Sequence, residues 1–560
     1  MTEAAGRTVL SQPRFAAPLF WLLSLFVLFH HLGGAALFDP DEGRNAEIAR
    51  ETLVTNDWVT PYYDFLPRLE KPIFFYAATA LSYRLFGISE AAARFPSAAS
   101  AFAVLLVTYY FARRFLGEWA ALWTVLVLLT CVEFYAFSRI VILDMTLAFF
   151  ITLALFSFYL AGAAESGKKR AYYFLMYAAL GCATLVKGPV GVVFPGIIVA
   201  AYLAVRKRWS VLREMELGWG LAIFFLIVTP WYTMAEMRNP GYLAYFVGQE
   251  HFGRYLTPYF QRTKPWYFLF VVVAGGFFPW TFLLPSMARR LSIKSLDDLS
   301  LYLVLWALVP FIFFSFSHSK MAEYLLPIYP ALAILAGKTI VAAPAKWEVW
   351  MLSLSWHVLN LSVLYLILGL AWPEMLPVEA REAVRQLPAT TVAALLLLSF
   401  AVLPWTAWTT LKKNREQLFL PACLVFFLFY FFAHSQVEPI SRARSYKELA
   451  LKSAAFLQPE DQLVIYDTYL ASVPFYLRLD KPFWIVTPED TKDVMGSFYA
   501  AEKKLAPASG YGKVVFTFAE FREEWSRRKL FVLVRYKRLG ELVGHKVLLQ
   551  VGNIALVTNR

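Results

Sequence analysis

Three acids, an arginine and a proline crowd into Asp39-Pro40-Asp41-Glu42-Gly43-Arg44, directly after the first long apolar run. Asp41, Arg44 and Asn45 stand at i, i+3 and i+4, so a helix here puts them on one face. A carboxylate beside a cation can take a proton from a hydroxyl or steady charge on a leaving group. The same stretch also reads as a helix start. Asp39 would be the N-cap, Pro40 the first helical residue, and Asp39 with Glu42 has the spacing of a capping box. Other polar groups interrupt an apolar chain further on: Glu70-Lys71-Pro72, Asp144, Lys187 before Gly188-Pro189, Glu250-His251 with Arg254, and His318, Lys320, Glu323 and Tyr324. Each has a plainer account: a solvated Glu70–Lys71 pair, an Arg139–Asp144 salt bridge, a snorkelling Lys187, a surface His251. Taken together, the cations Arg44, Lys71, Lys187, Arg254 and Lys320 suit a phosphate. The acids Asp41, Asp144 and Glu70 suit proton transfer or metal binding, and Glu70 with His251 offers the mixed oxygen and nitrogen ligands that zinc takes. These residue types fit group transfer from a phosphate-linked donor.

The elements that must position them are set by composition. The chain has 560 residues, 59% hydrophobic and 17% charged, where a soluble protein carries about a quarter charged. Apolar runs recur near 15–37, 93–112, 119–137, 142–163, 172–187, 189–205, 217–236, 266–288, 300–317, 321–341, 350–372, 390–411 and 417–434. Each is long enough to cross the bilayer as a helix. The segment 71–87 is short and carries Arg84. Laying it along the surface puts the basic loops at Arg113-Arg114, Lys168-Lys169-Arg170, Arg206-Lys207-Arg208, Arg289-Arg290 and Lys412-Lys413 on the same side as the N-terminus, as the positive-inside rule requires. This gives thirteen spans, an interfacial helix at 71–87, a cytoplasmic N-terminus, and candidate residues that face outward with everything after 434. The net charge of +13 lies in those loops and not on a nucleic-acid-binding face. Cys131, Cys182 and Cys423 sit in apolar runs without ligand spacing and read as core residues. After 434, strands at "DQLVIYDTY", "FWIVT", "KVVFTF", "KLFVLVRY" and "HKVLLQVGNIALVTN" alternate with helices at "RARSYKELALKSAAFL" and "AEFREEWSRR". The expected organisation is an all-α polytopic membrane domain over 1–434 and a soluble α/β domain over 435–560, to which the sequence assigns no chemistry.

The first loop, with Pro40-Asp41-Glu42-Gly43-Arg44, Ala46-Glu47-Ile48, Asp57-Trp58, Pro61 and Glu70-Lys71-Pro72, resembles that of the bacterial lipid A aminoarabinose transferases. These sit within the protein-mannosyltransferase-like (GT-C) class of membrane glycosyltransferases. "LVKGP" at Lys187, "EHFGR" at His251 and "LLPIYPALAIL" from Leu325 continue the likeness. The resemblance implies a membrane domain of thirteen helices with interfacial helices in the first loop and a periplasmic α/β tail, in the bacterial inner membrane. It implies an undecaprenyl-phosphate-linked sugar as donor, lipid A or another envelope glycolipid as acceptor, and a monomer that binds no nucleic acid. By motif, Asp41 would be the principal catalytic carboxylate and Asp144 the second. Arg44, Lys71, Lys187 and Arg254 would hold the donor phosphate, Glu70 and His251 a divalent metal such as zinc, and Asn45, Lys320 and Tyr324 would line the cavity. The chain departs from the pattern at Asn45, where these transferases have Tyr, and at Arg68, near which they have an aromatic residue. Two rivals remain: a protein O-mannosyltransferase-like enzyme using the same donor class, and a lipid or polysaccharide transporter without chemistry.

Overall fold

The apolar runs fold as helices, the form in which a single segment satisfies its own backbone inside a bilayer. The computed structural model describes residues 13–256, 263–290, 296–342, 437–488, 497–503 and 511–560, with isolated positions at 372, 374, 423, 426, 427, 430 and 507. In order come α1 (Pro13–Phe29), α2 (Asp41–Thr55), β1 (Tyr62–Tyr63), β2 (Leu66–Pro67), α3 (Phe74–Phe86), α4 (Glu90–Leu116), α5 (Glu118–Thr130), α6 (Val132–Ser138), α7 (Asp144–Gly162), α8 (Ser166–Lys187) and α9 (Val190–Arg206). Further helices follow at Leu217–Arg238, Phe268–Gly276, Leu284–Arg290, Asp298–Phe316 and Tyr329–Val341. Among the described residues, five helices are long and apolar enough to cross a membrane. Two bent pairs each supply one more if counted as a single span: α5 with α6, bent by 67°, and Phe268–Gly276 with Trp280–Arg290, bent by 103°. The expected spans from 15–37 through 321–341 all fall on helices, while 350–372, 390–411 and 417–434 lie almost wholly outside the described residues. Within 71–87 the helix α3 has 13 residues. At 1.5 Å per residue that is about 20 Å, short of a hydrocarbon core of about 30 Å, as a helix that does not cross should be.

The chain divides into two compact units. The first comprises Met1–Leu32, Ser97–Val228 and Gly253–Pro439. Its core is aromatic: Trp306 donates from its indole to Pro327 O at 2.9 Å, and the Tyr302 hydroxyl donates to Leu155 O at 2.8 Å. Tyr159, Tyr202 and Tyr302 pack ring to ring beside them. The three cysteines are free.

The second unit comprises Gly33–Pro96, Thr229–Phe252 and Ile440–Arg560, so the tail compacts with the first loop and does not stand alone behind residue 434. Its sheet runs in the order β5-β4-β3-β6-β8-β7, with β3 (Leu463–Tyr466), β4 (Trp484–Val486), β5 (Val515–Phe516), β6 (Phe531–Arg535), β7 (Lys546–Val551) and β8 (Ile554–Thr558). The first four in that order are parallel and the β6-β8-β7 edge is antiparallel. β1 and β2 form a small antiparallel hairpin whose two turn residues, Asp64 and Phe65, both have positive φ, 54° and 57°. Such a turn favours glycine or asparagine. Here the buried Glu51 carboxylate stabilises it by accepting from Asp64 N at 2.7 Å and Phe65 N at 2.9 Å.

The start of α2 corrects the capping expectation. Pro40 precedes the helix and no side chain caps it. Asp39 instead accepts from the backbone N–H of Ser472 at 2.8 Å and from the Ser472 hydroxyl, joining the first loop to the segment after β3. Gly43 completes this join: a Cβ there would lie 2.7 Å from both Cβ and N of Ser472, so the glycine is required by close approach. Two predictions follow from this contact. Gly43→Ala should cost about 1–3 kcal/mol by overpacking, read as a lower unfolding temperature in detergent; an unchanged temperature would show the contact to be loose. Burial raises the Asp39 carboxyl from 3.8 to about 6, against the pull of the Ser472 hydrogen bonds. The folded state therefore favours the protonated acid, and this share of stability should be present below pH 3.8 and lost as pH rises through about 6. Unfolding of Asp39→Asn should lack that decline between those values, whereas an identical pH profile in both proteins would refute it.

Candidate functional site

The candidate residues fall into two sets, one in each compact unit. In the second unit the decisive contact is an ion pair that the sequence reading missed. Glu42 and Arg94 are both nearly inaccessible, at 3% and 2% exposed. Arg94 grips the carboxylate twice, Nε to Oε1 at 2.9 Å and Nη2 to Oε2 at 2.8 Å. Its remaining N–H groups reach Ala35 O at 2.7 Å and Ala36 O at 3.0 Å, while Glu42 also accepts from Phe38 N at 3.0 Å. With Glu42 bound to Arg94 and Asp39 bound to Ser472, Asp41 is the acid of the motif that faces outward. Its side chain is 53% exposed and pairs with Arg44 one helical turn on. Asn45 is buried.

Arg44 has further aromatic neighbours, lying within electrostatic range of Tyr469 and Tyr76. Arg68 donates to the Tyr76 hydroxyl at 3.2 Å, and Tyr469 packs edge-on to Tyr63 with ring centroids 5.8 Å apart. Two arginines and two tyrosine hydroxyls therefore gather near Asp41, and Tyr469 comes from the tail to which the sequence assigned no chemistry. Lys71 is not half of a solvated pair with Glu70. It donates to Glu70 O at 2.8 Å and forms an ion pair with Glu250, whose side chain is wholly buried. Glu250 and His251 lie on a π-helical stretch, Phe246–Gly253, a geometry that recurs at functional sites.

Glu70 and His251 have features that suit a metal. Glu70 Oε1 accepts from Tyr499 N at 3.1 Å, while its buried Oε2 has no hydrogen-bond partner among the described residues and stands 3.6 Å from Arg68 Nε. His251 Nδ1 lies 2.7 Å from Phe246 O, a contact that would leave Nε2 to a ligand. No three His, Cys, Asp or Glu side chains converge in metal-ligand geometry among the described residues.

In the first unit, Asp144 is the first residue of α7 and Lys187 the last of α8. They form an ion pair, both largely shielded, and Lys187 Nζ also lies 4.8 Å from the Tyr324 ring centroid. Lys187 is thus paired and does not snorkel. Arg139 is not the partner of Asp144; it donates to backbone carbonyls of α1 and its end, Leu28 O at 3.0 Å and His30 O at 2.7 Å. Lys320 is buried and donates to Ser317 O at 2.6 Å. Arg254 is half-buried at the start of a single helical turn, Arg254–Leu256.

Comparison with known proteins gives a consistent kinship. The dolichyl-phosphate-mannose-protein mannosyltransferase family matches residues 19–246. An undecaprenyl phosphate-alpha-4-amino-4-deoxy-L-arabinose arabinosyl transferase of Aeromonas hydrophila is 33% identical over 57% of this chain and 60% of its own length. One from Shewanella sediminis is 32% identical over 58% and 59%. The chain thus spans about three fifths of the length of these curated relatives. In three dimensions, the ArnT of Cupriavidus metallidurans, solved bound to undecaprenyl phosphate, superposes with a TM-score of 0.83 and 26% identity over 97% of this chain and 98% of that one. In sequence and in fold the chain is similar to ArnT, with several helices long and apolar enough to cross a membrane and a C-terminal sheet region.

Proposed function

We propose that the chain moves a sugar, aminoarabinose or a relative of it, from undecaprenyl phosphate to lipid A on the periplasmic face of the bacterial inner membrane. The observation that carries this reading is the likeness over nearly the whole chain to a transferase solved with undecaprenyl phosphate. The residues supply the matching chemistry. In the transfer, an acceptor oxygen attacks C1 of the sugar, the C1–O bond to the phosphate breaks, and its electron pair leaves on undecaprenyl phosphate. Arg44, Lys71, Lys187 and Arg254 are assigned to the donor phosphate, where fixed cations stabilise that departing charge. Asp41 is the outward-facing acid beside Arg44. With a hydroxyl acceptor it takes the attacking proton; with a phosphate acceptor, already ionised, it orients the sugar and stabilises positive charge at C1. Asp144 is the second carboxylate, and Asn45, Lys320 and Tyr324 line the substrate cavity. A divalent ion at Glu70 and His251 would act as a Lewis acid on a phosphate oxygen. The thirteen-span topology and the monomeric state belong to the same proposal. A protein acceptor is the second reading, favoured by the match of residues 19–246 to the protein mannosyltransferases.

Asp41→Asn should insert and fold normally while losing about 100-fold or more of transfer, the usual range for a positioned acid or base. The measurement is radiolabelled sugar passing from an undecaprenyl-phosphate donor to lipid A in detergent, and near-normal transfer would remove Asp41 from the reaction. For the metal, elemental analysis of the purified protein should find about one zinc per chain that is lost in His251→Ala. Equal metal content in both would refute the assignment of His251.

A further inference from the structure

Glu133 belongs to none of the roles above, yet its surroundings set it apart. It lies in α6, just past the break with α5 at Cys131, and is 5% exposed. One oxygen, Oε2, accepts from the Tyr329 hydroxyl at 2.5 Å. The other, Oε1, is buried with no hydrogen-bond partner among the described residues. The backbone at Gly276 closes against the pair: a Cβ there would run into both the Tyr329 hydroxyl and Glu133 Oε2. Phe277 adds an aromatic wall, its ring 6.3 Å from that of Tyr329. Glu133 also lies within electrostatic range of two further acids, Glu323 and Asp144, and the Lys187 ammonium is already paired with Asp144.

A shielded carboxyl facing like charges is held by a cation, by hydrogen bonds or by taking up a proton, and an acid within a membrane span marks a functional site by default. The three carboxylates do not form a metal-ligand set. An N–H donor on a compact cation would satisfy the buried Oε1. We propose that Glu133 receives the protonated amine of an amino sugar, with Oε1 accepting its N–H while Tyr329 holds Oε2 in place. This rests on the proposed donor class and names the group on the sugar that this chain reads. Its consequence is selectivity, since a buried group left unpaired by the wrong substrate discriminates strongly.

The test compares two donors, undecaprenyl phosphate carrying either 4-amino-4-deoxy-L-arabinose or L-arabinose, on the full-length protein in detergent. Wild-type protein should favour the amino donor by about 10-fold or more in kcat/KM. Glu133→Gln should lose most of that preference, falling on the amino donor and staying within about 3-fold on the hydroxyl donor. If Glu133→Gln fails to accumulate in membranes, Glu133→Asp reads the same split, its shortened carboxylate weakening the amino donor alone. An equal loss on both donors, or no change on either, overturns the assignment by making Glu133 structural or idle. Wild-type protein that uses neither donor overturns the donor class itself, and the role of Glu133 with it.

Discussion

The buried pair between Glu42 and Arg94 determines what the rest of the first loop can do. Neither group can stand alone where it lies, because an unpartnered charge at that depth costs about 3–5 kcal/mol. Bidentate contact leaves little freedom of register between the first turn of α2 and the start of α4. The other donors of Arg94 hold the carbonyls of Ala35 and Ala36, so the chain entering α2 is fixed as well. Asp39 then reaches Ser472, Gly43 lies against the same residue, and Asp41 is carried outward beside Arg44. Four neighbouring polar or small residues thus have four different physical tasks, and Asp41 is the acid left facing outward.

Pairing recurs at three of the four cations that the proposed function gives to the phosphate. Arg44 has Asp41, Lys71 has Glu250, and Lys187 has Asp144. Each acid fixes the position of its cation. On the proposed function, an arriving phosphate would share the cation with its acid or displace it.

The helical part was largely legible, because a run of apolar residues long enough for a bilayer has few other ways to fold. The strands of the tail were legible too: the β-branched and aromatic segments became β3 to β8, and the antiparallel hairpin turned at Gly552, with its φ of 58°. Two kinds of information were hidden. Local spacing suggested that Asp39 and Glu42 cap a helix, but their partners Ser472 and Arg94 lie 433 and 52 residues away, beyond the reach of any local pattern. The tail showed no motif of its own, so nothing flagged Tyr469 as a neighbour of Arg44. Arg94 and Glu133 each carry a signal in the sequence, a charge inside an apolar segment. Arg139 pairing with Asp144 was a sensible guess from nearness in sequence, yet that guanidinium turned to the carbonyls ending α1.

The central claim is that this chain fixes a sugar on lipid A. Mass spectra of lipid A from cells with the gene intact, deleted and restored test it most directly. The account predicts a sugar-mass increment on lipid A that disappears on deletion and returns on restoration. Identical lipid A spectra in all three strains, grown while the undecaprenyl-phosphate sugar is being made, would contradict it.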